Sequence, residues 1–169
     1  MTQPTMEQTF SNGRPKRILL VEDDVRIVNF MRRGIEAEGM TLDVVSTMAP
    51  ALQLADSHRY TAIILDIYIG EDNGLDICRT LRQRADTTPI LVMTAKDSTE
   101  LREASEQAGA SAYLPKPFSF DELLVTLENI GRVYSKIHEA ATDGVPDANP
   151  RLNHTAPSPW KLEGTELTA

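Results

Sequence analysis

Five apolar runs of strand length punctuate the chain, starting near Ile18, Leu42, Ala62, Ile90 and Ala112. Between them, apolar residues recur at helical spacing. Ile27, Met31 and Ile35 fall at i, i+4 and i+8; Leu101, Ala104 and Ala108 fall at i, i+3 and i+7; Leu123, Leu127, Ile130, Tyr134 and Ile137 extend the same stripe near the end. Spacings of three and four put side chains on one helix face, whereas short continuous apolar runs fit strands buried on both faces. Gly39 and Gly109 stand where two of these helices should stop. The alternation predicts a parallel sheet with helices on both faces and right-handed crossovers. Five such units suit an α/β, flavodoxin-like (βα)5 doubly wound sheet of strand order 2-1-3-4-5. The run Leu42-Asp43-Val44-Val45 is the most polar, as an edge strand should be.

Four of these runs end in polar residues. Glu22-Asp23-Asp24 follows Ile18–Val21, Asp66 closes Ala62–Leu65, Thr94 follows Ile90–Met93, and Lys116 follows Ala112–Pro115. Parallel strands share one carboxyl edge, and ligands bind in the crevice there. Acids, a hydroxyl and an ammonium delivered to one edge are the parts needed to handle a phosphoryl group and a divalent metal. Mg²⁺ takes hard oxygen ligands and keeps several waters, so one or two carboxylates plus a phosphate suffice. Asp23 and Asp66 can supply carboxylates, the Tyr68 backbone carbonyl another oxygen, and Glu22 a contact through water. Asp24, just before the helix at Val25, reads as an N-cap. An aspartate at a strand end can attack phosphorus and form an aspartyl-phosphate. Lys116 then offers a point charge and Thr94 a hydroxyl donor to the phosphoryl oxygens. Three carboxylates this close should raise one another's pKa values.

Composition narrows the class. A chain of 169 residues with 41% hydrophobic residues can build one domain with a real core plus tails. The single cysteine, Cys78, excludes an intramolecular disulfide and, beside Leu75 and Leu81, reads as a small buried residue. No run of 18 apolar residues and no signal-peptide core are present, so a soluble cytoplasmic protein without membrane contact is expected. Net charge is −8, and residues 16–137 hold 14 basic and 19 acidic residues, so direct nucleic-acid binding by this chain is not expected. Six of the ten prolines lie in residues 1–15 and 138–169. These segments read as a flexible lead and a linker flanking one domain over 16–137. His58, His138 and His154 lack metal-ligand spacing and read as surface residues.

The combined motifs resemble the receiver domain of response regulators in two-component signalling. The matching residues are Ile18–Asp24, Ile64-Leu65-Asp66-Ile67, Asn73-Gly74-Leu75, Met93-Thr94-Ala95 and Tyr113–Phe118, and the resemblance covers residues 16–136. It implies that Asp66 accepts phosphate from a sensor histidine kinase. It implies Mg²⁺ at Glu22, Asp23, Asp66 and the Tyr68 carbonyl, Lys116 on the phosphoryl group, and a cis bond before Pro117. It also implies a switch pair, Thr94 and Tyr113, in which phosphorylation draws the hydroxyl inward and the tyrosine turns from exposed to buried. The family usually has proline four residues after the acceptor; Gly70 stands there, which should loosen that loop. Two other strand-end chemistries fit less well. A dehalogenase-like phosphatase resembles Asp-x-Asp, and Tyr68 occupies the third position. A flavodoxin needs a phosphate-cradling loop where Glu22-Asp23-Asp24 would repel phosphate.

Output has two readings. The segment Trp160–Leu167 resembles the opening strand of an OmpR/PhoB-type winged-helix domain, which places DNA binding in an effector domain not present in this chain. The alternative is a stand-alone receiver acting by protein contact. Regulators of that type resemble one another in a homodimer face built by helix 4, strand 5 and helix 5 with a ladder of ion pairs. Here Arg102 remains, but Gln107, Ala112 and Thr126 replace its usual company. Activated self-association is therefore expected through apolar contacts from Leu124, Ile130, Val133 and Ile137 instead.

Overall fold

The computed structural model describes residues 16–142. Seven strands and five helices follow in order: β1 (Arg17–Val21), α1 (Val25–Ala37), β2 (Thr41–Val45), α2 (Met48–Ser57), β3 (Ala62–Asp66), β4 (Tyr68–Ile69), β5 (Asp72–Asn73), α3 (Gly74–Gln83), β6 (Ile90–Thr94), α4 (Thr99–Gln107), β7 (Ala112–Pro115) and α5 (Phe120–Thr142). Five strands form one parallel sheet in the order β2-β1-β3-β6-β7, which is 2-1-3-4-5 when the main sheet alone is counted. β4 and β5 make a separate antiparallel ribbon that the apolar pattern did not predict.

Alternation along the strands explains the two layers. Leu19, Val21, Ile63 and Leu65 point to one face and pack with Leu75, Cys78 and Leu81 of α3, Ala51 of α2 and Ala108 after α4. Ile18, Leu20, Ala62 and Ile64 point to the other and pack with Met31 and Ile35 of α1 and Leu123 and Ile130 of α5. Each fully buried Leu or Ile is worth roughly 1.5–3 kcal/mol, so the strand runs alone account for much of the driving force. The polar edge strand β2 carries Asp43, whose carboxylate accepts from Arg17 Nε at 2.6 Å and from the Tyr60 hydroxyl at 2.7 Å. His58, expected at the surface, is half-buried with its ring 6.2 Å from that of Tyr60; the side chains of His138 and His154 lie outside the described residues.

Gly39 and Gly109 follow helices α1 and α4 with positive φ, as their positions predicted. Ala85, just past α3, also has positive φ, 59°, where an alanine side chain is strained. Ala85→Gly is expected to raise stability by about 0.5–1 kcal/mol, since the relief of strain exceeds the entropy that glycine adds to the unfolded chain. Chemical denaturation of the two proteins checks it; a less stable glycine variant would show that the strain is absent.

Helix α5 runs to Thr142, past residue 137 where the domain was expected to stop. Residues 1–15 and 143–169, including the segment 160–167, lie outside the described residues. No helix among the described residues is long and apolar enough to cross a membrane.

Candidate functional site

The carboxyl edge of the sheet collects the predicted residues. Glu22 follows β1, Asp66 ends β3 and Thr94 ends β6. Lys116 follows β7, and its backbone N–H donates to the Thr94 carbonyl at 2.7 Å, prolonging the β6–β7 ladder by one residue. The Lys116–Pro117 bond is cis, as the resemblance implied. Lys116 Nζ lies 2.6 Å from Asp66 Oδ2 and 3.0 Å from Glu22 Oε2, so one ammonium joins acids from two strands. Glu22, Asp66 and Thr94 are all buried.

Each remaining acid oxygen has a local role. Asp66 Oδ1 accepts from the Tyr68 backbone N–H at 3.2 Å, and Glu22 Oε1 from the Asp24 N–H at 3.0 Å. Asp24 accepts from the Arg26 N–H at 2.8 Å and caps α1 as expected. Hydrogen bonds from the Arg26 side chain and backbone hold its carboxyl down to about 2. Asp23 is exposed and accepts from the Gly70 N–H at 2.9 Å.

Lys116 stands between Glu22 and Asp66 and offsets part of the mutual raising expected of the carboxylates. The Glu22 carboxyl is raised first by burial, against lowering hydrogen bonds from the Asp24 N–H and Lys116; the charge of Asp66 is a smaller raising influence. Burial pulls the Lys116 ammonium down, but its hydrogen bonds to Asp66 and Glu22 outweigh that and hold it above its ordinary value. The acids do not form a ready-made cage: among the described residues no three His, Cys, Asp or Glu side chains converge tightly enough to hold a metal ion. The donor set still suits Mg²⁺, which needs only one or two carboxylates and completes its shell with water and phosphate. Exposed Asp23 beside Asp66 provides that open arrangement.

The loop after Asp66 is not loosened by Gly70. Tyr68 pairs with Asn73 and Ile69 with Asp72, leaving a two-residue turn, Gly70-Glu71. Gly70 takes φ of 54° while Glu71 does not have positive φ, the sign pattern of a II′ hairpin with glycine first. The ribbon is tied at both ends, through Gly70 to Asp23 and through Asp72, which accepts from the Met48 N–H of α2 at 2.8 Å.

Tyr113 departs from its predicted starting point. It is already buried, at 6% exposure, its hydroxyl donating to the Lys96 carbonyl at 3.2 Å. Arg102 covers its ring at 4.7 Å and pairs with Asp97 at 3.3 Å. Tyr113 belongs to the core cluster against which Leu101 and Ala104 of α4 pack. Thr94 Oγ1 accepts from the Lys96 N–H at 3.1 Å. On α5, Ile130 is a core residue at 5% exposure rather than a free contact, leaving Leu124, Val133 and Ile137 half-buried and Val125 exposed. Cys78 is buried as expected, its thiol donating to the Ala108 carbonyl at 3.2 Å and pushed up to about 11 by burial.

Sequence reasoning did not find the pairing of Tyr68 with Lys96 across the mouth of the site, where Lys96 Nζ lies 5.2 Å from the ring centre. Each residue sits two positions beyond a predicted one, Asp66 and Thr94, which was the available signal.

Comparison with known proteins agrees with this edge. The family model for the response regulator receiver domain matches residues 18–128. Response regulator MprA of Mycobacterium ulcerans is 39% identical over 129 residues, 76% of this chain and 56% of its own length. MprA of Mycolicibacterium vanbaalenii is 41% identical over 118 residues, 70% of this chain and 51% of its own. The chain thus spans about half the length of the curated relatives it matches. Among solved structures, the receiver domain of the Francisella response regulator 1452 superposes with a TM-score of 0.65 at 29% identity, over 69% of this chain and 97% of that one. The non-phosphorylated HemR receiver domain of Leptospira biflexa gives 0.64 at 28%, over 69% and 94%.

Proposed function

The chain belongs to the response-regulator receiver family of two-component signalling, and from that premise we propose that Asp66 takes a phosphoryl group from the phosphohistidine of a sensor kinase. The observation that carries the reading is the Lys116 ammonium held 2.6 Å from Asp66 Oδ2 at the carboxyl edge, with Thr94 on the adjoining strand end. A carboxylate oxygen of Asp66 attacks phosphorus; the new P–O bond forms as the P–N bond breaks, and the imidazole nitrogen leaves with the electron pair. Catalysis in such transfers is chiefly positioning and charge. Lys116, already fixed by Glu22, meets the charge that builds on the phosphoryl oxygens, and the Thr94 hydroxyl donates to one of them. Mg²⁺ would be held by Asp23, Asp66 and the Tyr68 carbonyl, with Glu22 acting through water. When bound it supplies the positive charge that lets an anionic donor approach three acids.

The signal then leaves through the Thr94–Tyr113 pair. Since Tyr113 already hydrogen-bonds the Lys96 carbonyl in the loop after Thr94, phosphorylation acts by tightening that loop rather than by burying an exposed ring. Residues 16–142, through the end of α5, form the receiver unit, working in the cytoplasm, with residues 1–15 as a lead and those after α5 as a linker. The matched relatives are about twice as long as the aligned region, which supports transcriptional output through an effector domain beyond this chain. Self-association of the activated form through α4, β7 and α5 would rest on apolar contacts, because Arg102 is engaged with Tyr113 and Asp97.

Incubated with acetyl phosphate and Mg²⁺, the protein is expected to gain one phosphoryl group by intact mass, and Asp66→Asn to gain none. Incorporation that survives Asp66→Asn would overturn the assignment.

A further inference from the structure

Charge counting at the edge leaves a deficit. Glu22 and Asp23 contribute two negative charges, and a phosphoryl group on Asp66 adds up to about two more. Lys116 offsets one and a divalent metal two, so about one negative charge stays uncompensated. Arg26, the next cation along this rim, is bound to Asp24 through two side-chain hydrogen bonds. Lys96 is different. Its ammonium rests on the face of Tyr68, an exposed ring, rather than on a carboxylate. Both backbones are anchored on the site: the Tyr68 N–H donates to Asp66 Oδ1 and the Lys96 N–H to Thr94 Oγ1. An exposed cation–π contact is weak, and the attraction of a phosphoryl dianion nearby exceeds it.

We propose that Lys96 is a second phosphoryl-binding cation, parked on the Tyr68 ring and swung onto the phosphoryl group of Asp66 once the site is charged. Because the Lys96 carbonyl also accepts from the Tyr113 hydroxyl, recruiting the ammonium draws on the same residue that holds the switch tyrosine. This rests on Asp66 as the phospho-acceptor.

The experiment measures two quantities on the intact chain with Mg²⁺: affinity for beryllofluoride, which stands in for the phosphoryl group, and the initial rate of labelling by acetyl phosphate. Lys96→Met keeps the stem and removes the charge. It is expected to lower both by about three- to ten-fold at low salt, with the difference shrinking as salt rises. Lys96→Arg should retain most of both. Tyr68→Leu, which keeps the backbone carbonyl, should raise the affinity, because the ammonium no longer has a ring to leave. Values for Lys96→Met within two-fold of the parent would overturn the proposal. So would a Tyr68→Leu variant as impaired as Lys96→Met, which would make the pair a passive cover. A parent that takes no label at Asp66 overturns both readings, whereas a labelled parent with an unaffected Lys96→Met overturns only this one.

Discussion

Gly74→Ala is expected to destabilise the fold by about 3 kcal/mol and to weaken phosphoryl-analogue binding at Asp66 at the same time. A Cβ at Gly74 would lie 2.0 Å from the Asp66 carbonyl oxygen, 2.9 Å from its carbon and 3.2 Å from the Ile67 Cα. All three are backbone atoms, so no rotamer change clears them. Gly74 also donates its N–H to the Ile67 carbonyl at 2.8 Å, which locks the start of α3 onto the chain leaving β3. Relief requires α3 or the end of β3 to move, and either displaces Asp66. Gly34 supplies the contrast. A Cβ there meets the Phe120 ring at 2.1–2.5 Å, but that ring is a half-buried side chain at the start of α5 rather than backbone. Alanine would also favour helix α1 by about 1 kcal/mol, so Gly34→Ala should cost far less. Urea denaturation and beryllofluoride titration of both variants check this; a Gly74→Ala midpoint matching the parent would show that α3 is not tied to the acceptor in this way.

Strand order, helix faces and the four strand-end residues were legible because each is written in a local period. Alternating buried positions place Leu19 and Ile63 on one face and Ile18 and Ile64 on the other, and a parallel sheet brings the carboxyl ends together whatever the loops do. Loop geometry was not legible in the same way. Gly70 alone signals freedom; that it sits first in a two-residue hairpin depends on Tyr68 finding Asn73 and on Asp72 reaching α2. That Lys116 stands between Glu22 and Asp66 and offsets part of their mutual influence is a pairwise contact that no spacing in the sequence states. The starting position of Tyr113 and the resting place of Lys96 are likewise set by contacts between elements distant in sequence, Arg102 with Tyr113 and Lys96 with Tyr68.

Lys116→Met should lower stability by about 2–4 kcal/mol near neutral pH and make it fall with rising pH where the parent is flatter. The variant leaves the Glu22 carboxylate, 1% exposed, without its cation. Burial already raises Glu22 above its ordinary value of 4.5, and Lys116 is one of the influences that pull it back. Without that ammonium the folded-state pKa rises further. A carboxyl whose folded pKa exceeds its unfolded one binds protons more tightly when folded, so its protonated form favours the fold below the unfolded value. That advantage is lost as pH climbs through the folded one. The gap between variant and parent should therefore be narrow near pH 4.5 and widen toward neutrality. It should narrow again above the ordinary lysine value of 10.5, where the parent's own Lys116, held up by Asp66 and Glu22, loses its proton and its contribution. Asp24, held near 2 by Arg26 rather than by Lys116, titrates alike in both proteins and cancels from the difference. Adding Glu22→Gln to Lys116→Met removes the more deeply buried of the two carboxylates left without the ammonium and should recover part of the loss, since replacing both members of a buried pair is often close to neutral. Denaturation midpoints for the three proteins between pH 4.5 and 8 decide the matter. A loss that is the same at both ends, or that the double variant does not recover, would mean that Lys116 supports the fold by packing alone and that Glu22 does not depend on its charge.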